Sequence, residues 1–315
     1  MNGMFRLLAA AAALYPLAAE AAAQRTFVSA HGADTNPCSV LQPCRTFAFA
    51  LSQTNPGGEI YVLDTAGYGP VTITQAVSIV NQTSTAAITA SGGGNAVTVN
   101  AGANDKVVLR GLTIVGGGTG TNGIVFNSGA SLSVEDCTIS QFTFAGIQFQ
   151  PTNKSRLYVS NTRVASNAQV GINVVPQVTS GSGAVNASFV HVEATDDNQA
   201  GIFVDGRSSV AGIAVQATIA DSLISDNTVT GIHAVSAAGA FAPVTVMVRN
   251  TTVANTAQFG LAAENNSTLL FGRSTISGNG QALITIGSGV LKSYGDNNID
   301  GNGGLGSTPT SVSPR

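Results

Sequence analysis

From Val107 onward the chain alternates apolar and polar residues in short runs, and one run keeps returning. Its clearest copy is 157–172. Leu157, Tyr158, Val159 and Ser160 alternate with period two, Asn161 interrupts, and Thr162, Arg163, Val164 and Ala165 resume the alternation. Ser166 and Asn167 then make a polar turn, and Gly171-Ile172 opens a third apolar segment. Period-two runs bounded by Asn, Ser and Gly predict short strands, here three to a repeat. The same order recurs in Leu132–Ile147, Ala187–Ile202, Ala217–Ile232, Val246–Leu261 and Leu269–Leu283. The residues just before each second strand form one column: Gly111, Asp136, Asn161, His191, Asp221, Asn250, Arg273 and Asp296. Their successive spacings are 25, 25, 30, 30, 29, 23 and 23 residues. A constant unit with insertions in some copies gives such a series, which is the mark of a stacked repeat architecture.

A single three-strand unit cannot bury its apolar side chains alone. Stacking units about 4.8 Å apart pairs each strand with its counterparts above and below and closes a continuous core. The expected inward pairs are Leu132/Val134, Leu157/Val159, Ala187/Phe189, Ala217/Ile219, Val246/Val248 and Leu269/Phe271. The third strand adds Ile147, Ile172, Ile202, Ile232 and Leu261. A turn column is expected at Asn167, Asn198, Asn227, Asn255 and Asn279. Asn tolerates left-handed backbone, and stacked amides can bond one another along the axis.

The segments before Val107 are less regular. Residues 1–23 read as a secretory signal peptide: Arg6, an apolar run Leu7–Ala19, and Ala21-Ala22-Ala23 as a cleavage site. That run is too short to span a membrane, and no later one is long enough. Residues 24–58 are read as an N-terminal cap. It holds a strand at Gln24–Ser29, a loop from His31 to Cys44, and a short helix over Arg45–Gln53 with Phe47, Ala50 and Leu51 on one side. Strands follow at Glu59–Leu63, Val71–Thr74, Val77–Val80, Ala87–Ala90 and Val97–Asn100. The stack is expected over 59–302 and a disordered tail over 303–315. An exported chain makes a Cys38–Cys44 disulfide the favoured reading, with two free thiols as the alternative. Cys137 falls in the column of Leu112 and Thr162 and reads as a small packed residue.

Composition narrows the partners. Charged residues are 9% of the chain and the net charge is −3. No basic patch with interleaved aromatics exists, so nucleic acid is not an expected partner. Asp296-Asn297-Asn298-Ile299-Asp300-Gly301 begins like a calcium loop, but its twelfth position is Ser307 instead of a bidentate Glu. The glycine runs 92–94 and 116–118 lack the Gly-Lys-Ser/Thr of a phosphate loop. No metal and no cofactor are expected.

Parallel strands, a turn column of Asn and Gly-Ile at the third strand resemble the right-handed parallel β-helix of the pectin-lyase-like superfamily. The head, Arg25-Thr26-Phe27-Val28-Ser29 through Pro43-Cys44-Arg45-Thr46-Phe47-Ala48 and Gly58-Glu59-Ile60, resembles an exported bacterial branch of it. The resemblance spans about Arg25 to Asp300. It implies an all-β fold, a single solenoid behind a short N-terminal capping helix, in a secreted or periplasmic protein. It does not imply one activity, because the fold serves lyases, hydrolases, adhesins and structural proteins.

Three insertions, Pro176–Ala184, Gly206–Gly212 and Ser236–Pro243, leave the repeat at one corner, after the third strand. They are expected to form a ridge beside the first-strand face, where the resemblance places substrate in pectate lyases and polygalacturonases. The candidate binding residues there are Tyr158, Arg249, Glu135, His191 and Asp221. His191 and Asp221, in one column on adjacent rungs, are the weak catalytic candidates, against a plain solvated turn. Asp197 and Asp226 are expected to stack, with Asp196 beside them. The pectate-lyase Arg-x-Pro-x-x-Arg segment is absent, and of the polygalacturonase motifs only Asp196-Asp197 has a counterpart. The expected function is therefore binding of a glycan or cell-surface component by a non-catalytic β-helix. The alternatives are a polysaccharide lyase or glycoside hydrolase acting in the loop-walled groove, and a structural surface protein.

Overall fold

The computed structural model describes residues 23–82, 84–90 and 92–313. The expected signal peptide lies, but for Ala23, outside the described residues, and Ala23 begins the first strand, Ala23–Val28. The chain winds as a parallel β-solenoid. Every named strand pairing is parallel and joins one rung to the next, as Leu132 pairs Leu157 and Leu157 pairs Ala187. First and second strands share one sheet, and the third strands form a separate nine-stranded sheet.

The two sheets enclose the core. The inward columns read from the sequence are in register: Val134, Val159, Phe189, Ile219, Val248 and Phe271 on the first strands, and Ile147, Ile172, Ile202, Ile232 and Leu261 on the third. All eleven are fully buried, each contributing roughly 1.5–3 kcal/mol of apolar burial. The break before the second strand is a column of left-handed residues. Asp136, Asn161, His191, Asp221, Asn250 and Arg273 all have φ between 47° and 55°. One such residue turns the chain between two strands of the same sheet, so polar types that tolerate this conformation recur there.

The Asn column needs a correction. The buried rungs are Asn167, Asp197, Asn227, Thr256 and Asn279, not Asn198 or Asn255. Asn167 donates its backbone N–H to Oδ1 of Asp197, Asp197 to Oδ1 of Asn227, and Thr256 to Oδ1 of Asn279. The residue before each rung, Ser166, Asp196, Asp226, Asn255 and Gly278, carries the left-handed backbone. Asp197 therefore stacks on Asn227, and it is Asp196 that shares a column with Asp226.

The helix is Phe47–Gln53, capped by Thr46, whose hydroxyl accepts from the backbone N–H of Phe49. Its buried side, Phe47, Ala50 and Leu51, joins the core beside the first strands. Cys38 and Cys44 form a disulfide. Cys137 is buried, and burial pushes its thiol up to about 12. The expected disordered tail also needs correcting. Gly306 pairs with Leu283, and Thr310–Ser311 pairs with Lys292–Ser293. Residues 303–311 find backbone partners on the edge of the preceding rungs, which a solvated tail would lack.

Candidate functional site

The insertions do form a ridge at one corner, between the third strand and the following first strand. Val210 donates to the carbonyl of Val178, Ala211 to Ala240 and Ala242 to Ser209, so the three stack on each other. Their feet are not free surface loops: Val178, Ser209 and Ala242 are buried. The ridge borders two faces, and the sequence reading considered only one of them.

On the first-strand face the expected residues sit one to a rung, on five successive rungs from Glu135 to Arg249. Tyr158 is exposed. Glu135 is bound by Arg110 at 2.8 Å. Arg249 lies over the ring of Tyr294, 5.6 Å from its centroid. His191 and Asp221 line a shallow depression of about 460 Å³ with Asn250. Asp221 accepts a hydrogen bond from the Asn250 amide, and among the described residues none joins His191 to Asp221. The expected set is placed along one side of the solenoid but does not converge on a point.

The third-strand face is organised differently. One outward column runs Thr98, Val125, Gln148, Asn173, Phe203 and His233. Gln148 and Asn173 point away from the core, between the fully buried pairs Ile147/Phe149 and Ile172/Val174, yet are only 7% and 8% exposed. They belong to a relay of amides crossing four rungs. Asn173 donates to Gln148 (2.8 Å), Gln148 to Gln150 (2.9 Å), Gln150 to Asn127 (2.8 Å) and Asn127 to Asn100 (2.8 Å). The relay consumes every acceptor but the first: Oδ1 of Asn173 is buried without a partner. A buried acceptor left unmade costs about 1–3 kcal/mol.

Beyond Asn173 the same face carries ionisable groups. The Phe203 ring meets His233 edge-on at 5.0 Å. Nε2 of His233 lies 3.3 Å from Glu264, without the alignment of a hydrogen bond. Burial lowers the His233 pKa, only partly opposed by the Glu264 charge, and favours the neutral ring. Arg207, from the second insertion, folds back to donate Nε and Nη2 to Asp205 at 3.0 and 2.9 Å. A neutral imidazole beside a carboxylate can take up a proton. The sequence reading missed His233 and Glu264, although His233 follows the Gly231-Ile232 signal by one residue and so had to face outward. Among the described residues, no group of three or more His, Cys, Asp or Glu side chains is placed to hold a metal, and no helix is long and apolar enough to cross a membrane.

A three-strand parallel solenoid, with a polar strip down its third-strand sheet and a ridge of insertions beside it, defines the class. The chain belongs to the family described as right handed beta helix region, whose model matches residues 60–239. No curated protein matches the sequence. Among solved structures the fold is similar to pectate lyase Pel9A, with TM-score 0.66 and 13% identity over 92% of this chain and 78% of that one. It is similar to an alginate lyase from Paenibacillus sp. str. FPU-7, with TM-score 0.56 and 14% identity over 92% and 100% of the two chains. It is similar also to the enzymatically active domain of Bacteriophage CBA120 tailspike protein 2, with TM-score 0.56 and 12% identity over 84% and 42%. At these identities the likeness is one of fold.

Proposed function

We propose that this exported β-helix binds a glycan along the outer face of its third-strand sheet and does not cleave it. The observation that carries the reading is the amide relay from Asn173 to Asn100, bonded across four rungs on the outward positions of the third strands. Amides offer donors and acceptors together, as sugar hydroxyls do. A pre-bonded row holds them in place, so little side-chain freedom is lost on binding. Phe203, next along the strip, supplies an apolar ring for a sugar face. The structural relatives named for polysaccharide lyases support a glycan as ligand. The test is affinity electrophoresis in a panel of polysaccharides. Asn173→Ala with Gln148→Ala should weaken retention at least tenfold, about 1.4 kcal/mol, while Tyr158→Ala with Arg249→Ala leaves it unchanged. The reverse result would return the site to the first-strand face.

A second reading has its own observation. His233, Glu264 and the Asp205–Arg207 pair are ionisable groups clustered on that face, where a general acid or base would stand. Release of reducing or unsaturated ends from any polysaccharide, lost in His233→Gln, would make the protein a hydrolase or lyase.

A further inference from the structure

We infer that the strip takes a neutral, hydroxyl-bearing glycan and discriminates against polyuronates, a specificity that rests on the glycan-binding reading above. The inference follows from where charge stands along the face. The outward residues from Thr98 through Asn127, Gln148 and Gln150 to Asn173 include no ionisable group. A polymer lying there, rising rung by rung, meets amides, the Thr98 hydroxyl and the Val125 side chain, and no charge. The ionisable groups start one rung beyond Asn173 and are mainly acidic: Asp205 and Glu264 flank His233. The cation among these groups is Arg207. It is already bound through Nε and Nη2 to Asp205, and it also feels Glu264. With His233 neutral, two carboxylates and one guanidinium leave this end with one net negative charge.

A uronate carboxylate on such a surface would exchange water for amides and find no guanidinium or ammonium among the strip's own outward residues; the Lys154 ammonium stands off at the ridge, donating to the Ser182 carbonyl at 3.0 Å. Desolvating a carboxylate without a paired cation is costly, and near Asp205 and Glu264 like charge adds to the cost. Arg chelates carboxylates best as a two-pronged donor, and the one Arg placed here has that fork occupied. Neutral hydroxyls suffer none of these penalties. They can accept from the amide N–H groups of the strip. The neutral class also bears on chemistry. Eliminative cleavage depends on a carboxyl group acidifying the neighbouring C–H, and a neutral chain has none. Any turnover by the His233 cluster would then be hydrolysis.

The experiment is calorimetric titration of the full chain at pH 7 with matched hexasaccharides. Cellohexaose, mannohexaose and xylohexaose form the neutral arm; galacturonate and mannuronate hexamers form the acidic arm. Asn173→Ala and Gln148→Lys are titrated alongside, with circular dichroism confirming their fold. At least one neutral hexamer should bind at least tenfold more tightly than either uronate and lose at least tenfold in Asn173→Ala. Gln148→Lys should shift the preference toward the uronates by tenfold or more. Uronates binding as tightly as the neutral sugars, and sensitive to Asn173→Ala, would overturn the inference while leaving the glycan-binding reading intact. No binding in either arm, or binding indifferent to Asn173→Ala, would overturn the glycan-binding reading and the specificity with it.

Discussion

Asp197 shows how much one residue in a column can matter. It is fully buried among amides. Its Oδ1 accepts from both the backbone and the side chain of Asn167, while its Oδ2 has no partner. In other rungs the Asn amide reaches back to a main-chain carbonyl: Asn227 donates to Ala194, Asn279 to Val253 and Asn302 to Ile276. By the same offset the acceptor for residue 197 is the carbonyl of Val164, and an ionised carboxylate has no proton to give it. Burial pushes the Asp197 pKa from 3.8 up to about 7, outweighing the lowering by Asn167; the Asp196 charge raises it further and the Arg163 charge opposes. The folded state therefore holds a proton that the unfolded chain has released. The contribution to stability is whole below pH 3.8 and falls as pH climbs toward 7. Asp197→Asn supplies the missing N–H without titrating. It should raise the melting temperature at pH 8 by several degrees, on the order of 1–2 kcal/mol, and gain far less at pH 4. Equal gains at both pH values would show that the carboxylate is not protonated in the fold. The Asn column was visible in the sequence, but its register slipped by one at two rungs. The signal that fixes it is the distance to the following glycine. Asn167 stands four before Gly171 and Asn227 four before Gly231, which selects Asp197 before Gly201 and Thr256 before Gly260.

Among elements, the third strand has the most constrained start. Ala200 pairs Thr230 and Ile202 pairs Ile232, with the intervening Gly201 left out of the register. A Cβ on Gly201 would come 2.6 Å from the Ile224 side chain and 2.8 Å from Asn227 Nδ2. The glycine lets the strand cross the ladder and still turn Ile202 inward. Gly201→Ala should destabilise the protein by about 1–3 kcal/mol, read as a lower urea midpoint; an unchanged midpoint would mean the rung can widen there. The Gly-Ile signal and the apolar alternation made strands and inward columns legible, since both are set by backbone period. The insertions had no period to read. Their lengths were visible, but not that Val178 and Ala242 would join the core or that Arg207 would fold back onto Asp205. The outward residues of the third strand were equally readable by alternation. The bonds that make a site of them run between rungs, through side chains 23 to 27 residues apart, and no local pattern encodes that.

At the scale of the whole molecule, a solenoid is held by nearest-neighbour contacts, and its least protected rungs are those with one neighbour. Residues 303–311 lie across such a rung. Leu283 donates its N–H to Leu305 and accepts from Ser307 at 3.0 Å each, and Ser307 Oγ accepts from the backbone of Thr285. Leu283 itself is fully buried. Removing 303–315 would strip these bonds and leave the backbone groups of Leu283 on an open strand edge. Each bond is worth about 0.5–1.5 kcal/mol, offset by the chain entropy regained. Because coupling passes from rung to rung, the effect should decay along the axis. Hydrogen exchange after the truncation should speed up by tenfold or more at Leu283, less at Leu261, and not at Ile147, about five rungs away. Unchanged exchange at Leu283 would mean the segment adds nothing to the stack, while equal acceleration at Ile147 would show that the solenoid opens as one unit.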